Sequence, residues 1–383
     1  MKIALVTLHF DNVGGIERCV TALCRWFVKW GHEVHVFCAS AVKPYPKGVR
    51  VHFVRVPARP WGLRLLSFGL LAPRAVARCP DGPFDAIHAH TVYLGRHTLA
   101  TAYSVHRLAM AAEPPPRGWA RLRRWSYGLA WPVALMAEAS FRRAAMMSCV
   151  SKGMARELRS RVGIPASRMG LHYIGVDSNA FRPIGGSSRA GVRRRMGMDR
   201  HSFWFCFSGW NWRRKGLDTV LEALGRIGGG SRLLVIGQDP IEGPVFREAA
   251  SRLGGRVLFA GRLSDPAAAM AACDAFVFPT RYDPFGMVVS EAMACGLPVL
   301  VPRQAGSSEI VAASRGLQVL GRPGDPAALA ARMAALAGNR GRARRIGRMN
   351  RRTAMGWNWK RYAAEALRLY ERAGQRAARG RPS

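Results

Sequence analysis

The chain has 383 residues, of which 49% are hydrophobic, so it is long enough for two domains that each bury a core of their own. This composition excludes a disordered or fibrous chain. It also carries 59 lysines and arginines against 23 acidic residues, a formal net charge of +36 at pH 7. Such an excess favours contact with polyanions or with an anionic membrane.

The eight cysteines are scattered among apolar neighbours and include no CxxC pair, which predicts reduced core residues in a reducing compartment. The first apolar run, residues 3–8, is too short for a secretory signal and is typical of a β-strand. The longest uncharged run, residues 125–137, is shorter than the roughly 20 residues that span a bilayer. We therefore expect a cytoplasmic protein without a transmembrane helix.

Short apolar strands alternate with amphipathic stretches along the whole chain, as in a parallel sheet with crossover helices. The pattern starts twice. In the first half the predicted strands are residues 2–8, 33–39, 51–56, 86–90, 102–106, 147–151 and 170–174. In the second half they are residues 203–208, 233–236, 257–260, 275–279 and 298–301. The predicted fold class is α/β, with two doubly wound, Rossmann-like domains.

The stretch 182–201 is rich in Gly, Ser, Pro and Arg and predicts an exposed linker that leads into a short basic helix. We expect an N-terminal domain over residues 1–185, with a basic aromatic segment at 114–145, and a C-terminal domain over 190–355. Apolar residues then recur at helical spacing, which predicts that 356–383 form an amphipathic helix that docks back, followed by a basic tail.

The first predicted strand is followed by Gly14 and Gly15, where a helix is expected to begin. Two adjacent glycines let a ligand approach the backbone and leave the helix dipole facing it. A simple tight turn would have the same sequence, and the spacing is not that of a GxGxxG dinucleotide fingerprint.

A basic cluster, Arg213, Arg214 and Lys215, follows the first strand of the second half. Positive charge at a helix start opposes the helix dipole and suits a phosphate ligand. The alternative is a solvated loop in an arginine-rich protein.

The segment 278–299 holds the most specific pattern. A strand ends, a loop carries Asp283, and a helix is predicted to begin near Phe285 or Gly286. Glu291 then falls in the first two turns of that helix. The first amides of a helix can hold a phosphate, and a carboxylate above them can accept a pair of sugar hydroxyls.

This segment resembles the signature of retaining glycosyltransferases of family 4. Seven residues separate Asp283 from Glu291, Phe-Gly follows Pro284, and Glu-Ala-Met-Ala-x-Gly-x-Pro-Val begins at Glu291. The resemblance covers essentially the whole chain and implies the GT-B fold, two Rossmann-like domains facing across a cleft. The other motifs that carry it are Gly14-Gly15, His106, Val150-Ser151, Ile174-Gly175-Val176-Asp177, Arg214-Lys215-Gly216, Gly237, Gly261-Arg262 and Asp274.

The resemblance also implies roles for single residues. Arg214 and Lys215 would neutralise the diphosphate of a nucleotide-sugar donor, which we expect to be UDP-glucose. The other implied donor contacts are amides of Met287 and Val288, Gly15 from the other domain, Phe285 and Gly286 at the helix start, Glu291 on the ribose, Asp283 on the transferred sugar, and the backbone around Arg262 on the base. His106 matches a histidine near the reacting sugar.

No cofactor is implied, and no metal, because no Asp-x-Asp follows a strand. The family usually has Glu where this chain has Asp283. The shorter side chain would shift its contacts to the sugar or route them through water.

Among family 4 enzymes the chain most resembles the glucosyltransferases that extend the heptose region of the lipopolysaccharide core. A basic aromatic stretch contains Arg117, Arg121, Arg123, Arg124 and Trp125, a composition that suits the headgroup zone of an anionic membrane. We expect the protein on the cytoplasmic face of the inner membrane. The alternative is an exposed helix whose tryptophans pack inward.

Other functions fit parts of the same pattern. The acceptor could be another lipid-linked molecule or a polysaccharide, and a nucleotide-sugar epimerase would share the two-domain architecture. The positive charge also suits a non-specific nucleic-acid binder, although no recognised nucleic-acid module is present. A non-catalytic scaffold would not need Lys215, Asp283 and Glu291 together.

Overall fold

The computed structural model describes residues 1–11, 14–105, 130–312, 319–321 and 323–379. The chain divides into two compact units. Unit 1 holds the described residues up to Gly175 and those from Trp359 onward, and unit 2 holds those from Val176 to Asn358.

Unit 1 is built on a parallel sheet. Its strands are β1 (Lys2–Val6), β2 (His9–Phe10), β3 (Glu33–Cys38), β4 (Ser40–Ala41), β5 (Val49–Phe53), β6 (Ala86–Ala89), β7 (His97–Ala102), β8 (Ala144–Cys149) and β9 (Met169–Leu171). Seven of them form one sheet in the order β5-β3-β1-β6-β7-β8-β9, and β2 pairs separately with β4. The strand order reverses between β1 and β6, as in doubly wound folds.

Helices connect these strands. They are α1 (Gly15–Lys29), α2 (Trp61–Ala77), α3 (Ala130–Arg143) and α4 (Lys152–Glu157), and α4 continues into a π-helical turn, Leu158–Val162. The C-terminal helix, Trp359–Arg379, packs against α1, β7 and β8. Its Tyr370 hydroxyl lies 2.9 Å from His88 Nδ1, and its Tyr362 carbonyl accepts a hydrogen bond from His172 Nε2 at 2.7 Å.

Unit 2 has a second parallel sheet. Its strands are β10 (Phe203–Ser208), β11 (Ser231–Ile236), β12 (Val257–Gly261), β13 (Ala275–Val277), β14 (Val299–Pro302) and β15 (Val319–Leu320), in the order β12-β11-β10-β13-β14-β15. The helices are α5 (Gly186–Arg195), α6 (Trp212–Lys215), α7 (Leu217–Gly225), α8 (Gly243–Ser251), α9 (Pro266–Ala271), α10 (Met287–Ala294), α11 (Ser308–Ala312), α12 (Pro326–Ala337) and α13 (Arg340–Met355). This strand order is that of a Rossmann fold.

The two sheets confirm the predicted α/β class and both doubly wound domains. The central strands are apolar because helices cover both faces of a parallel sheet. In β10, for example, Phe203, Trp204 and Phe205 are all buried. No helix among the described residues combines the length and the hydrophobicity that crossing a membrane requires.

One predicted strand is wrong. The segment 102–106 was expected to form a strand, whereas β7 spans His97–Ala102. β7 shows no continuous apolar run in the sequence, because polar residues interrupt it. His97 is buried, and its ring Nδ1 is hydrogen-bonded to the Gly95 carbonyl at 2.9 Å. The Thr98 hydroxyl likewise accepts the Ile87 N–H at 3.1 Å. Polar side chains that are hydrogen-bonded in this way are compatible with a strand inside a sheet.

Smaller differences concern strand ends. β5 lies at Val49–Phe53, about two residues before the predicted strand at 51–56. The short strands β2, β4 and β15 were not predicted, since two residues are too few to show an alternation.

Candidate functional site

Two loops of unit 2 meet at the point where its strand order reverses. β10 and β13 are neighbours in the sheet, although β11 and β12 separate them in sequence. Loop A, residues 209–216, follows β10 and includes the one-turn helix α6, and loop B, residues 278–286, follows β13. In open α/β sheets, ligands bind beyond the carboxyl ends of the strands at such a reversal.

Loops A and B contact each other through their backbones. Gly216 has a φ of 85°, and a Cβ there would overlap the carbonyl oxygen of Pro279, so this close approach requires glycine. The Arg281 N–H donates to the Arg214 carbonyl at 2.9 Å, and the buried Thr280 hydroxyl lies 3.2 Å from the same carbonyl. The two loops are therefore fixed relative to each other.

Lys215 and Asp283 form an ion pair where the loops meet. Their side chains are only 13% and 12% exposed, and the Lys215 ammonium lies 4.9 Å from the centre of the Phe278 ring. Burial by itself would raise the pKa of Asp283, but the Lys215 ammonium, with help from Arg214 and the Phe285 N–H, holds that pKa below its usual value. Burial lowers the pKa of Lys215, and Asp283 opposes that shift. The site thus holds a buried carboxylate beside a buried ammonium.

The neighbouring arginines differ in what they contact. The Arg214 guanidinium donates to the Tyr282 carbonyl at 2.9 Å. Arg213 instead pairs with Glu242, Nε to Oε1, at 2.7 Å. Arg281 forms a two-pronged ion pair with Asp218 at 2.9 and 2.8 Å. Arg213 and Arg281 therefore act as supports for loops A and B.

Helix α10 begins beside the Lys215–Asp283 pair. Its N-cap, Gly286, has a φ of 83° and provides no side-chain cap. The first N–H groups of a helix have no partner within it, so the amides of Met287 and Val288 are suited to an external anion. Glu291 lies one turn further on and is only 6% exposed. Lys215 and Glu291 are thus both largely enclosed, Lys215 by loops A and B and Glu291 by the apolar surroundings of α10.

A third loop, which the sequence reasoning missed, supports loop B from β14. The Gly306 N–H donates to the Asp283 carbonyl at 3.0 Å, and the Ser307 N–H donates to the Phe285 carbonyl at 2.6 Å. A Cβ at Gly286 would lie 3.2 Å from the Ser307 hydroxyl. The signal was an Ala-Gly-Ser-Ser run that begins four residues after the end of the last predicted strand.

The remaining predicted residues are more scattered. Gly15 is the first residue of α1 in unit 1. Arg262 is exposed and follows β12 in unit 2, at the same sheet edge as loop A. The other predicted residues, His106, Arg117, Arg121, Arg123, Arg124 and Trp125, lie outside the described residues.

Unit 1 has an open cavity of about 680 Å³ beyond β1. Its lining residues are His9, Ala58, Arg59, Pro60, Trp61 and Arg64. His9 Nδ1 lies 2.8 Å from the Ser40 hydroxyl, and Arg64 donates to the same hydroxyl at 3.1 Å. Burial and the charge of Arg64 lower the pKa of His9, so the arginines supply the positive charge of this cavity.

Comparison with known proteins bears on both units. Residues 13–180 match the family model Glycosyltransferase Family 4, and residues 202–339 match the model Glycosyl transferases group 1. The D-inositol 3-phosphate glycosyltransferase of Xylanimonas cellulosilytica is 27% identical over 98% of this chain and 97% of its own. The GDP-mannose-dependent alpha-mannosyltransferase of Mycolicibacterium smegmatis is 29% identical over 99% of this chain and 100% of its own.

Solved structures give the same fold. WaaG, a glycosyltransferase involved in lipopolysaccharide biosynthesis, matches with a TM-score of 0.79 at 19% identity, over 96% of this chain and 99% of its own. Sucrose-phosphate synthase from Thermosynechococcus elongatus matches with a TM-score of 0.77 at 22% identity, over 98% and 99%. At such identities the likeness bears on the fold alone. With two family models that together span most of its length, the chain is a glycosyltransferase of the family 4 type with the GT-B fold.

Proposed function

We propose that the chain is a retaining, metal-independent hexosyltransferase whose nucleoside diphosphate sugar binds at loops A and B of unit 2. The observation that carries this proposal is the convergence of Lys215, Arg214 and the start of α10 at the strand-order reversal. Cations and free helix amides in one place suit a diphosphate.

The leaving diphosphate is the group that these residues would stabilise. An ammonium has three N–H donors, and Asp283 occupies one donor of Lys215, which leaves two for phosphate oxygens. The amides of Met287 and Val288 add donors that are already oriented by the helix. As the bond from the sugar to the diphosphate breaks, negative charge grows on the phosphate oxygens, and fixed donors stabilise that charge. In this proposal the cationic side chains do what a divalent metal does in other transferases.

The carboxylates would recognise hydroxyl groups. Glu291 would bind the ribose, since it lies one turn above the diphosphate-binding amides. Asp283 would contact the transferred sugar, because its Oδ1 accepts only the Phe285 N–H, at 3.2 Å, among the bonds described here. We take UDP-glucose as the donor. GDP-mannose is the second candidate, supported by the name of the M. smegmatis relative.

The acceptor is proposed to be a polyhydroxylated molecule that carries phosphate. The basic cavity of unit 1, with Arg59 and Arg64, supports an anionic acceptor. The heptose region of the lipopolysaccharide core fits this description. So does an inositol phosphate, the class named for the X. cellulosilytica relative. Attachment to the cytoplasmic face of an anionic membrane belongs to the same proposal and depends on the basic aromatic residues that lie outside the described part of the chain.

The identity of the donor is tested first, with a panel of ligands. Thermal unfolding is followed with UDP-glucose, GDP-mannose and the two nucleoside diphosphates, because a ligand that binds only the folded state raises the melting temperature. The stabilising donor is then incubated with truncated lipopolysaccharide and with inositol phosphate. The anomeric configuration of the product is read by NMR, with and without added magnesium or manganese.

We expect transfer that depends on acceptor, retains configuration and is unchanged by the added ions. Turnover of the donor without any acceptor would instead indicate the epimerase, and stabilisation by none of the four ligands would contradict the proposal.

A further inference from the structure

A group of four side chains with metal-binding atoms lies in unit 1, away from loops A and B. It comprises His35, His52, Cys79 and Asp81, and one ligand atom of each lies within 4.8 Å of all the others. His35 belongs to β3, His52 to β5, and the other two to the turn that follows α2.

The fold brings these residues together from three segments. β3 and β5 are parallel neighbours in which Phe37 pairs with His52, and His35 lies two residues before Phe37, on the same face. The Phe84 ring packs edge-on against His35, with 5.0 Å between ring centres, and so holds the turn after α2 over the two strands. A hydrogen bond of 2.9 Å from the Gly82 N–H to the Cys79 carbonyl closes that turn.

The separations resemble those of a tetrahedral site. With bonds of about 2.0–2.3 Å, two ligand atoms of a tetrahedral zinc ion lie roughly 3.3–3.6 Å apart. His35 Nδ1 lies 3.7 Å from Asp81 Oδ2, and Cys79 Sγ lies 4.0 Å from His52 Nε2, the nitrogen that also faces His35. His35 Nδ1 and His52 Nε2 are hydrogen-bonded at 2.8 Å, so these two atoms would separate by about half an ångström to admit a metal.

The neighbouring charges orient the group. The second ring nitrogen of His35 lies 3.1 Å from Glu33 Oε1, the carboxylate–histidine arrangement that commonly fixes a metal-ligating ring. Arg50 donates to Asp81 Oδ1 at 2.9 Å, which leaves Asp81 Oδ2 on the side of His35. Arg50 also bonds Glu33 at 2.9 Å, so its positive charge is shared between Asp81 and a carboxylate outside the group of four.

We propose that His35, His52, Cys79 and Asp81 form a structural zinc site. Two imidazole nitrogens, one thiolate and one carboxylate are a ligand set that suits Zn²⁺. Binding would release the thiol proton, and the proton between the two imidazoles would move to His52 Nδ1, so that each ring stays neutral and keeps one N–H. The thiolate and the carboxylate together balance the two positive charges of the ion.

The position explains why the site would be structural. Asp81 lies at the amino ends of the strands, where its carbonyl accepts a hydrogen bond of 2.6 Å from the Lys2 ammonium. Ligands of the reaction bind at the opposite, carboxyl edge of such a sheet. Zinc here would instead cross-link the edge strand β5 and the turn after α2 to β3.

Zinc content of the full-length protein is the test. We expect about one zinc ion per chain by mass spectrometry after purification without chelators, or after incubation of the apoprotein with Zn²⁺ and desalting. Replacement by Co²⁺ should give a thiolate-to-cobalt absorption band. Cys79→Ser and His52→Gln should lose both signals. Cys38→Ser, on the same strand as His35, and His201→Gln, at an exposed position, are matched controls that should keep them.

Asp81→Asn keeps the test decisive if the other variants do not fold, because Asp81 is partly exposed. It should weaken zinc binding at least tenfold in competition with a chelating dye. Folded wild-type protein that takes up no zinc, or zinc retained in full by Cys79→Ser or Asp81→Asn, would overturn the proposal. None of these measurements depends on glycosyl transfer, so this site and the donor site can fail separately.

Discussion

The pairing of Lys215 with Asp283 gives both residues a structural role besides the proposed chemical one. Both side chains are largely buried. Removing one member of a buried pair leaves the other charge without compensation, which costs much more than losing an exposed pair. The stability of variants at this pair must therefore be measured as well as their turnover.

Lys215→Met should lower the free energy of unfolding by about 2–4 kcal/mol, since it leaves Asp283 buried and unpaired. The pKa of Asp283 is depressed in the folded protein, so the pair contributes stability above the unfolded pKa of about 3.9 and loses it as pH falls through the folded pKa. In the variant that loss should be smaller, because burial raises the pKa of Asp283 once the Lys215 ammonium no longer opposes it. Urea unfolding across a pH series measures the free energy of unfolding and its pH dependence. The variant should also lose nucleotide binding.

The matched control for this prediction is Arg226→Met, which breaks an exposed pair with Glu222 and should cost only about 0.5 kcal/mol. Equal effects of the two substitutions would show that the Lys215–Asp283 pair is not the buried unit described here.

Glu291→Gln should weaken donor binding at least tenfold, because a hydrogen bond to a charged group contributes about 1.5–3 kcal/mol. Glutamine keeps the size of the side chain, so the melting temperature should change little. Isothermal titration with the stabilising nucleotide measures the affinity, and Glu248→Gln, on the exposed side of α8, is the control. Unchanged affinity in Glu291→Gln would remove Glu291 from the proposed site.

At the scale of elements, what the sequence predicts depends on how local the determining contacts are. β10 matches its prediction at both ends because every residue from Phe203 to Phe207 is apolar and buried. β7 does not, because Thr101 is paired by a contact with His88, 2.7 Å away, that only the folded sheet supplies. The start of α10, which carries the acidic residues, could be recognised in the sequence as a motif. The contact between this segment and the loop after β14 could not, because that contact exists only when β13 and β14 lie side by side in the folded sheet.

Gly216 is the residue on which the contact between loops A and B depends. Gly216→Ala should destabilise unit 2 by more than the ~1 kcal/mol typical of a positive φ, because its Cβ would also overlap the Pro279 carbonyl. Nucleotide affinity should fall in parallel. Gly228→Ala is the control, since nothing lies within 4 Å of its added Cβ and its φ is not positive. Wild-type affinity in Gly216→Ala would mean that the loops need not touch for binding.

For the whole molecule, the order of segments along the chain matters. The C-terminal helix belongs to unit 1 although the whole of the described unit 2 precedes it. Its amphipathic spacing predicts a packed helix, but the surface that receives it is defined by His88 and His172, far away in the sequence. Sequence periodicity reports that a face is buried and not what buries it.

Truncation after Asn358 should therefore destabilise unit 1 selectively. Removal of the helix exposes the apolar surface of α1, β7 and β8. It also leaves one ring nitrogen of the buried His88 and one of the buried His172 without its partner. Hydrogen exchange followed by mass spectrometry should show lost protection in β6–β8 and retained protection in β10–β14. Uniform loss across both units, or none in unit 1, would contradict this division.

Hydrogen exchange in the presence of UDP or GDP is the most direct test of the donor site. We predict slower exchange in residues 209–216 and 283–291, including the amides of Met287 and Val288, with the larger effect from the nucleotide of the true donor. The Lys215→Met protein should show no such protection. Nucleotide binding that leaves both segments unchanged and protects another part of the chain would contradict the account.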